Sequence, residues 1–312
     1  MTSTAPGSVD LAGTVSLVTG ATGGMGCVIA TELARLGSTV AIVARDGGRG
    51  ESVRQQVANE IGADRIEVLT ADLSTAAGVR RAADQFTARH RELHVLVNNA
   101  GAHFRQRSLN SDGIEMHLAI DHLAGFTLTN LLIGHLRAGA PSRVVNVVSA
   151  SMADTRRVKI RRTPRPVRLD PADLDDLHRV NSERGYNPFA AYARAKLLTT
   201  MCGYVLAEQT RADQVTVNAV HPGLVATGII DDIAPSVVKP LLGLVRRKLL
   251  TPVQGAQATL RLATAPQLAG ITGRYFTQDL ESRSPDISYD HHLQQLAWTV
   301  SQTYASEPHG IV

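Results

Sequence analysis

Apolar residues recur along the chain in two alternating patterns. Short runs rich in β-branched residues predict strands, whereas longer stretches with an apolar residue every three or four positions predict helices. The predicted strands are 14–20, 39–45, 65–72, 94–101, 143–150, 214–220 and 273–276, and the predicted helices are 24–37, 48–61, 112–138, 188–210 and 252–264. Runs such as "HVLV" and "RVVNVV" are typical of strands buried on both faces. The pattern therefore predicts an α/β fold with one doubly wound parallel sheet of about seven strands.

The length of 312 residues, with 44% hydrophobic content, fits one domain with a full core. No internal repeat or long linker divides the sequence. We therefore treat 1–312 as a single domain in which residues 1–10 form a flexible tail. Two long stretches interrupt the alternation, and such connections beside the carboxyl ends of parallel strands commonly cover substrates. Residues 151–187 are predicted to be an insert and residues 228–251 a substrate lid.

Charge is distributed unevenly along the chain. The formal net charge is +4, and the segment "RRVKIRRTPRPVR" (156–168) concentrates the positive charge. The insert between Ser149 and Tyr192 changes from this basic run to the acidic "LDPADLDD". A solvated, partly mobile arm is the simplest interpretation of the insert, and a cover or an anionic-substrate contact beside the active site is the alternative. Aromatic residues make up only 4% of the chain and no nucleic-acid-binding module occurs, so we predict no nucleic-acid partner.

Cysteine content and hydropathy bear on the location of the protein. Cys27 and Cys202 lie in apolar helical patterns, which excludes a disulfide framework and favours the reducing cytoplasm. The first residues do not form a signal-like segment and no apolar run reaches eighteen residues, so we expect no stable membrane insertion. Residues 229–250 combine apolar and basic residues, as membrane-surface helices do, but Pro240 interrupts them and favours a lid.

A glycine-rich segment, "TGATGGMG" (19–26), follows the first strand and opens the first helix, which is the context of a dinucleotide-binding loop. Gly20 permits the tight turn, Gly24 allows the backbone to approach a pyrophosphate, and Gly26 allows the helix to pack on the strand. An acid at the end of the second strand would favour NAD, but Arg45 stands there. The Arg45 guanidinium suits the 2′-phosphate of NADP(H). The alternatives are that Asp46 neutralises Arg45, or that Arg45 is a solvated surface residue with no ligand.

Two residues of a late helix are candidates for acid–base chemistry. Tyr192 and Lys196 are four residues apart and therefore share one helical face. A phenol with a reference pKa of about 10 needs a nearby cation to act at neutral pH, and Lys196 can supply it. Ser149 closes the fifth strand, where its hydroxyl could polarise a carbonyl. The alternative is an amphipathic helix in which the lysine extends to the surface. His117 and His122 have the wrong spacing for one helical face, so no metal site is predicted.

Taken together, these motifs resemble those of the short-chain dehydrogenase/reductase family, and the chain is most similar to the retinol-dehydrogenase-like branch of that family. The resemblance extends nearly from end to end. It rests on "TGATGGMG", "VARD", "DLS", "NNAG", "RVVNVVSA", "AYARAK", "VNAVHPGLVATG", "GAQATLRLA", "GRYF" and a closing helix around "HHLQQLAWTVSQTY". The family implies a Rossmann fold, a small-molecule substrate and a homo-oligomer, either a dimer or a tetramer.

The resemblance also implies roles for individual residues in an NADP(H)-dependent interconversion of a carbonyl and an alcohol. Tyr192 would be the general acid in reduction, Ser149 would orient the carbonyl, and Lys196 would hold the nicotinamide ribose and lower the tyrosine pKa. The residues implied to bind NADP(H) are Gly20, Thr22, Gly24, Met25, Gly26, Arg45, Asp72, Leu73, Asn99, Ala100, Gly101, Tyr192, Lys196, Pro222, Gly223, Val225 and Thr227.

One position departs from the family pattern. Relatives carry an asparagine in a segment like "VNHLGHF", where it helps to hold a water of the proton relay, whereas this chain reads "AIDHLAGF" with Asp121. A carboxylate at this position could pair with Lys196 or accept a proton. We therefore predict that Asp121 is a catalytic residue that tunes proton transfer.

The expected substrate is a hydrophobic ketone, aldehyde or secondary alcohol. The arginine-rich, lysine-poor composition suggests, by analogy, a ketoreductase for polycyclic or polyketide-like compounds in biosynthesis. Two alternatives stay open: a redox-neutral family member that catalyses dehydration, epimerisation or rearrangement, and a non-catalytic NADP(H)-binding sensor. The presence of Ser149, Tyr192 and Lys196 together argues against the sensor.

Overall fold

Eight strands form one sheet in the computed structural model of the chain, which describes residues 9–156, 165–226 and 249–306. Their order across the sheet is β3-β2-β1-β4-β5-β6-β7-β8. The first seven run parallel, and β8 pairs antiparallel with β7. The strands are β1 Val15–Thr19, β2 Thr39–Ala44, β3 Ile66–Thr70, β4 Val95–Asn98, β5 Ser142–Val147, β6 Val215–His221, β7 Tyr275–Thr277 and β8 Leu280–Ser282. The predicted α/β fold with a doubly wound sheet is confirmed.

Helices cover both faces of this sheet. They are α1 Gly24–Arg35, α2 Gly47–Ile61, α3 Ala76–Thr87, α4 Met116–Leu118, α5 Ala124–Leu131, α6 Ile133–Ala138, α7 Pro188–Gln209, α8 Pro252–Thr264 and α9 His291–Ser306. One face carries α1, α2 and α8, and the other carries α3, α5, α7 and α9. The adjacent residues Leu17 and Val18 are both fully buried, but they belong to hydrophobic clusters on opposite faces. The strands are therefore buried on both sides, as their continuous apolar runs predicted.

Local capping signals set the starts of several helices. Asp46 caps α2 by accepting hydrogen bonds from the backbone N–H groups of Gly48 and Arg49. Thr251 and Gln254 form a reciprocal capping box at the start of α8. Helices α2 and α8 therefore begin within one residue of their predicted positions, because the residues that satisfy their free N–H groups lie next to the helix in the sequence.

The predicted helix 112–138 is wrong as a single element. It is divided into α4, a π-helical turn at Ala119–Leu123, α5 and α6. A π turn accommodates one extra residue, and such turns often occur at functional sites because they reorient side chains. Asp121 lies in this turn. Helix α3 and strand β8 were not predicted, and β8 brings the sheet to eight strands in place of about seven.

The prediction of a solvated arm is wrong for residues 165–187 of the insert. Val167, Leu169, Leu174, Leu177 and Val180 are each at most 7% exposed, and they pack into the core cluster that also contains α7. This part of the insert is consequently a fixed part of the domain.

Several predicted features lie outside the described residues: the tail 1–8, the basic residues 157–164, most of the predicted lid (228–248) and Thr227. Among the helices that the structure does describe, none has the length and apolarity needed to cross a membrane.

Candidate active site

The glycine-rich loop lies at the carboxyl ends of β1 and β4. The Asn99 side chain donates to the backbone oxygens of Thr19 (2.9 Å) and Gly20 (3.2 Å), so it ties the loop to β4. A Cβ on Gly26 would lie only 2.2 Å from the Gly20 oxygen, which explains why glycine is required there. Gly20 itself has a φ of +67°, in the left-handed region.

The N-terminus of α1 opens directly from this loop and has no side-chain cap. Its first N–H groups and its positive dipole end are therefore available to an anion such as a pyrophosphate. Gly23 and Gly24 are exposed at this end, and Met25 is buried behind them. The residues present thus fit the phosphate groups of a dinucleotide.

Arg45 extends from the end of β2 into solvent, and it has no ion-pair partner among the described residues. The neighbouring Asp46 is engaged as the cap of α2, so the alternative in which it neutralises Arg45 is not observed. Asp72 is exposed after β3, and its carboxylate accepts the Ser74 N–H in a local turn at 2.9 Å. This edge of the loop consequently presents two exposed charged side chains, the Arg45 guanidinium and the Asp72 carboxylate.

The structure brings Ser149, Tyr192, Lys196 and Asp121 together at the carboxyl ends of β4 and β5. Ser149 follows β5 and hydrogen-bonds to Tyr192. The Lys196 ammonium lies 5.7 Å from the centre of the Tyr192 ring and donates to the Val147 oxygen at 3.2 Å. The alternative in which Lys196 extends to the surface is wrong, because this residue is only 4% exposed.

Asp121 forms a buried ion pair with Lys196. Its Oδ1 lies 3.2 Å from the Lys196 Nζ and accepts the Ala102 N–H at 3.2 Å. Its Oδ2 is buried and has no hydrogen-bond partner in the described part of the chain. The Asp121 carboxylate can lie this close to the loop only because residue 101 is a glycine, since a Cβ on Gly101 would lie 2.7 Å from Asp121 Oδ1. Burial raises the pKa of the Asp121 carboxyl, while the Lys196 charge acts in the opposite direction.

The surroundings of Tyr192 act on its acidity in two directions. Burial raises the pKa of Tyr192, and the negative charge of Asp121 raises it further, whereas the hydrogen bond with Ser149 acts in the opposite direction. Asp121 thus opposes the effect on the phenol that the family resemblance attributes to Lys196. The lowering of the tyrosine pKa by Lys196 stays a prediction.

The remaining predicted cofactor residues lie around this centre. Thr22 is in the loop before α1, Leu73 packs against the core after β3, and Ala100 donates its N–H to the Thr19 hydroxyl at 2.9 Å. Pro222 and Gly223 follow β6, and Gly223 has a φ of +92°. The next residue of this group, Val225, is buried against Gly255 of α8, so its side chain has a packing role.

Sequence reasoning missed a second buried polar network beside Tyr192. The Glu115 carboxylate accepts hydrogen bonds from His117 Nδ1 (2.7 Å), the Tyr186 hydroxyl (2.8 Å) and Asn181 Nδ2 (2.9 Å). Burial alone would raise the pKa of Glu115, but these hydrogen bonds, with that from His117 the largest of them, lower the pKa to about 2. The sequence offered only one local signal, an acidic residue at the start of a helix.

Comparison with known proteins places this site in a family. Residues 14–158 match the family model for short chain dehydrogenases. The chain is 34% identical over 305 residues to human retinol dehydrogenase 14, which covers 93% of this chain and 85% of the relative. The chain belongs to the short-chain dehydrogenase/reductase family. It is also 36% identical over 294 residues to mouse polyprenol dehydrogenase, with coverage of 92% and 82%.

Solved structures agree with this assignment. A protein of uncharacterised function from Mycobacterium paratuberculosis superposes with a TM-score of 0.73 at 26% identity, over 97% of both chains. L-sorbose reductase from Gluconobacter frateurii, solved with NADPH and L-sorbose, has a TM-score of 0.66 at 20% identity and shares the fold, over 87% of this chain and 97% of its own. As a short-chain dehydrogenase/reductase, the protein is an oxidoreductase of alcohol or carbonyl groups that uses a nicotinamide cofactor.

Replacing Asp121 with asparagine tests the influence of the carboxylate on Tyr192. The substitution removes a negative charge that favours the protonated phenol, so the Tyr192 pKa falls. Because reduction needs that proton, we expect the loss of reductase activity at high pH to begin roughly one pH unit lower than in the wild type. The measurement is kcat for carbonyl reduction as a function of pH.

The control for this test is Asp213→Asn, which removes another ion-paired carboxylate, 2.8 Å from Arg137 Nε and remote from the site. Its profile should superimpose on that of the wild type. An Asp121→Asn profile that coincides with the wild type would show that the carboxylate has no influence on proton transfer.

Proposed function

We propose that this protein is an NADP(H)-dependent oxidoreductase that interconverts a carbonyl and an alcohol on a long, apolar substrate, and that it acts mainly as a reductase. The observation that carries the proposal is the assembly of the half-buried Ser149 with the buried Tyr192 and Lys196 beside an uncapped, glycine-rich helix N-terminus. A protein that only binds a nucleotide would not need a buried phenol and a buried ammonium beside a serine hydroxyl at the same edge of the sheet.

Each residue of the site has a separate role in the proposed reaction. A bound NADPH supplies the hydride. Ser149 hydrogen-bonds the substrate carbonyl oxygen and orients it toward Tyr192. The Tyr192 hydroxyl then gives its proton to that oxygen as negative charge develops there. The charge of Lys196 stabilises the phenolate that remains, and Asp121 holds the ammonium in place.

The preference for NADP(H) over NAD(H) rests on the end of β2. Arg45 is exposed and unpaired there, Ala44 stands where NAD-dependent relatives would carry an acid, and Asp46 is occupied with capping α2. A guanidinium in this place suits a 2′-phosphate, which it can bind through two parallel hydrogen bonds. Cells commonly keep NADPH reduced, and this favours the direction of reduction.

The substrate class follows from the relatives. The names of the matched proteins specify retinol and polyprenol, both of them apolar isoprenoid alcohols. We therefore place long isoprenoid-like aldehydes and ketones ahead of the polycyclic or polyketide-like ketones that the composition suggested. Cytoplasmic location and homo-oligomeric assembly stay predictions.

A substrate panel tests the proposal. NADPH oxidation is measured with a long isoprenoid aldehyde, a short polar ketose and a polycyclic ketone, each repeated with NADH. We expect turnover to be fastest with the isoprenoid aldehyde and with NADPH. Tight NADPH binding without turnover of any carbonyl would favour the sensor, and conversion of a substrate without net cofactor oxidation would favour the redox-neutral alternative.

A further inference from the structure

The loop that follows β4 is held by two side chains of one helical face. Asp121 Oδ1 accepts the backbone N–H of Ala102 at 3.2 Å, and His117 Nε2 accepts the N–H of Phe104 at 3.0 Å. The two acceptors are four residues apart, which places them one turn apart on the helix. The two donors are two residues apart in the loop, so the helix holds the loop at two points on either side of His103.

The tautomer of His117 follows from its two hydrogen bonds. A backbone N–H can only donate, so Nε2 is the acceptor of the Phe104 bond and carries no proton. The proton is therefore on Nδ1, which donates to Glu115 Oε1 at 2.7 Å. The ring is fully buried, and its hydrogen bond to Glu115 holds the imidazole in this tautomer.

The insert holds Glu115 in turn. Tyr186 donates its hydroxyl to Glu115 Oε1 at 2.8 Å, and Asn181 donates to Oε2 at 2.9 Å. Arg107, at the far end of the β4 loop, donates to the Asn181 backbone oxygen at 3.0 Å. The loop, the start of α4 and the insert therefore meet in one closed set of buried and partly buried hydrogen bonds, which fixes the geometry of all three.

This set of bonds borders the catalytic tyrosine. The ring of His103, in the middle of the loop, lies 5.9 Å from the Tyr192 ring at 83° and 5.2 Å from the His117 ring. The His117 ring is itself 6.1 Å from Tyr192 at 71°. Both imidazoles thus pack edge-on against the phenol ring. Because His103 belongs to the loop, the position of the loop sets the distance between His103 and the Tyr192 ring.

We propose that His117 is a positioning residue of the reaction: by holding Phe104, it keeps His103 packed against Tyr192 and so keeps the phenol in the orientation that protonates the substrate. The proposal rests on the proposed function, because it takes Tyr192 as the acid. Asp121 holds the same loop at Ala102, whereas His117 links Phe104 to the insert through Glu115.

Two replacements of His117 separate this role from simple stability. The amide of His117→Gln can accept the Phe104 N–H and donate to Glu115, as the imidazole does, whereas His117→Ala can do neither. We expect His117→Ala to lower kcat by about tenfold to a hundredfold with little change in KM, because the misplaced group is the acid rather than a substrate contact. His117→Gln should restore kcat to within about threefold.

Hydrogen exchange at the Phe104 amide gives a readout that does not depend on turnover. The amide should exchange slowly in the wild type and in His117→Gln, and much faster in His117→Ala. A protein that turns over no carbonyl would refute the proposed function, whereas the exchange measurement would still decide whether His117 holds the loop. Ser301→Ala is the stability control, because it removes a buried hydrogen bond to His122 (2.8 Å) away from the loop, and it should preserve both kcat and Phe104 protection.

Should His117→Ala fail to fold, Tyr186→Phe provides a milder test. It removes one of the hydrogen bonds that hold Glu115, and we expect kcat to fall by about twofold to fivefold with faster exchange at Phe104. The proposal is overturned by unchanged Phe104 exchange in His117→Ala, or in Tyr186→Phe if that variant takes its place. It is also overturned if His117→Gln loses as much kcat as His117→Ala.

Discussion

Replacing Tyr192 with phenylalanine is expected to lower kcat for carbonyl reduction by about a thousandfold while NADPH still binds. The hydroxyl is the only group of Tyr192 that the variant lacks, and its proton is the one that neutralises the developing alkoxide. The ring keeps its packing, since Tyr192 is 8% exposed and its neighbours His103 and His117 contact the ring edge-on. Steady-state NADPH oxidation and a separate NADPH titration measure the two effects.

Tyr204 supplies the matched control on the same helix. Its hydroxyl hydrogen-bonds to Ser284 at 2.7 Å, so Tyr204→Phe also removes a phenol hydroxyl and its hydrogen bond, but away from the catalytic residues. We expect Tyr204→Phe to retain kcat within about twofold, because any loss of stability is of the order of one hydrogen bond. Comparable activity in Tyr192→Phe and the wild type would remove Tyr192 from the reaction and leave a nucleotide-binding protein with another acid or none.

The parts of the fold that were predictable from the sequence depend on local signals. Helix α8 has the predicted bounds because its cap, Thr251, and its capping-box partner, Gln254, are both contained in one helical turn. The pair Tyr192 and Lys196 was predictable for the same reason, since spacing along one helix determines that they share a face. Ser149 was predictable because it ends a strand whose apolar run is unambiguous.

The insert was not predictable because its contacts are distant in the sequence. The spacing of its apolar residues changes from two at Val167 and Leu169 to three at Leu174, Leu177 and Val180, so no single period extends through the insert, yet all five are buried. The hydrogen bond from Asn181 to Glu115 spans 66 positions. No periodic pattern within the insert specifies these partners, so the mixture of charges alone suggested a solvated arm.

The chemistry of Asp121 was predictable only in part. Its presence in place of asparagine was visible in the sequence, and so was the option of pairing with Lys196. The π turn that brings its Oδ1 to 3.2 Å from the ammonium has no compositional signal, because it requires only one extra residue in a helix. The consequence for Tyr192, a negative charge that opposes the effect of the lysine, therefore emerges only from the structure.

Replacing Arg45 with aspartate is expected to reverse the cofactor preference. A charge-assisted contact between a guanidinium and a phosphate contributes about 1.5 to 3 kcal/mol, so its loss lowers kcat/KM for NADPH by about tenfold to a hundredfold. Repulsion between the new carboxylate and the 2′-phosphate adds to this loss. The same carboxylate can accept the ribose hydroxyls of NADH, so kcat/KM for NADH should rise.

The measurement is the ratio of kcat/KM for NADPH to that for NADH, determined at low and at high salt. The preference of the wild type for NADPH should weaken as the salt concentration rises, because an exposed guanidinium is readily screened.

Arg211→Asp is the control, since it makes the same change of charge at a side chain that is 64% exposed and remote from β2. An unchanged ratio in Arg45→Asp would show that neither the position nor the charge of Arg45 selects the cofactor.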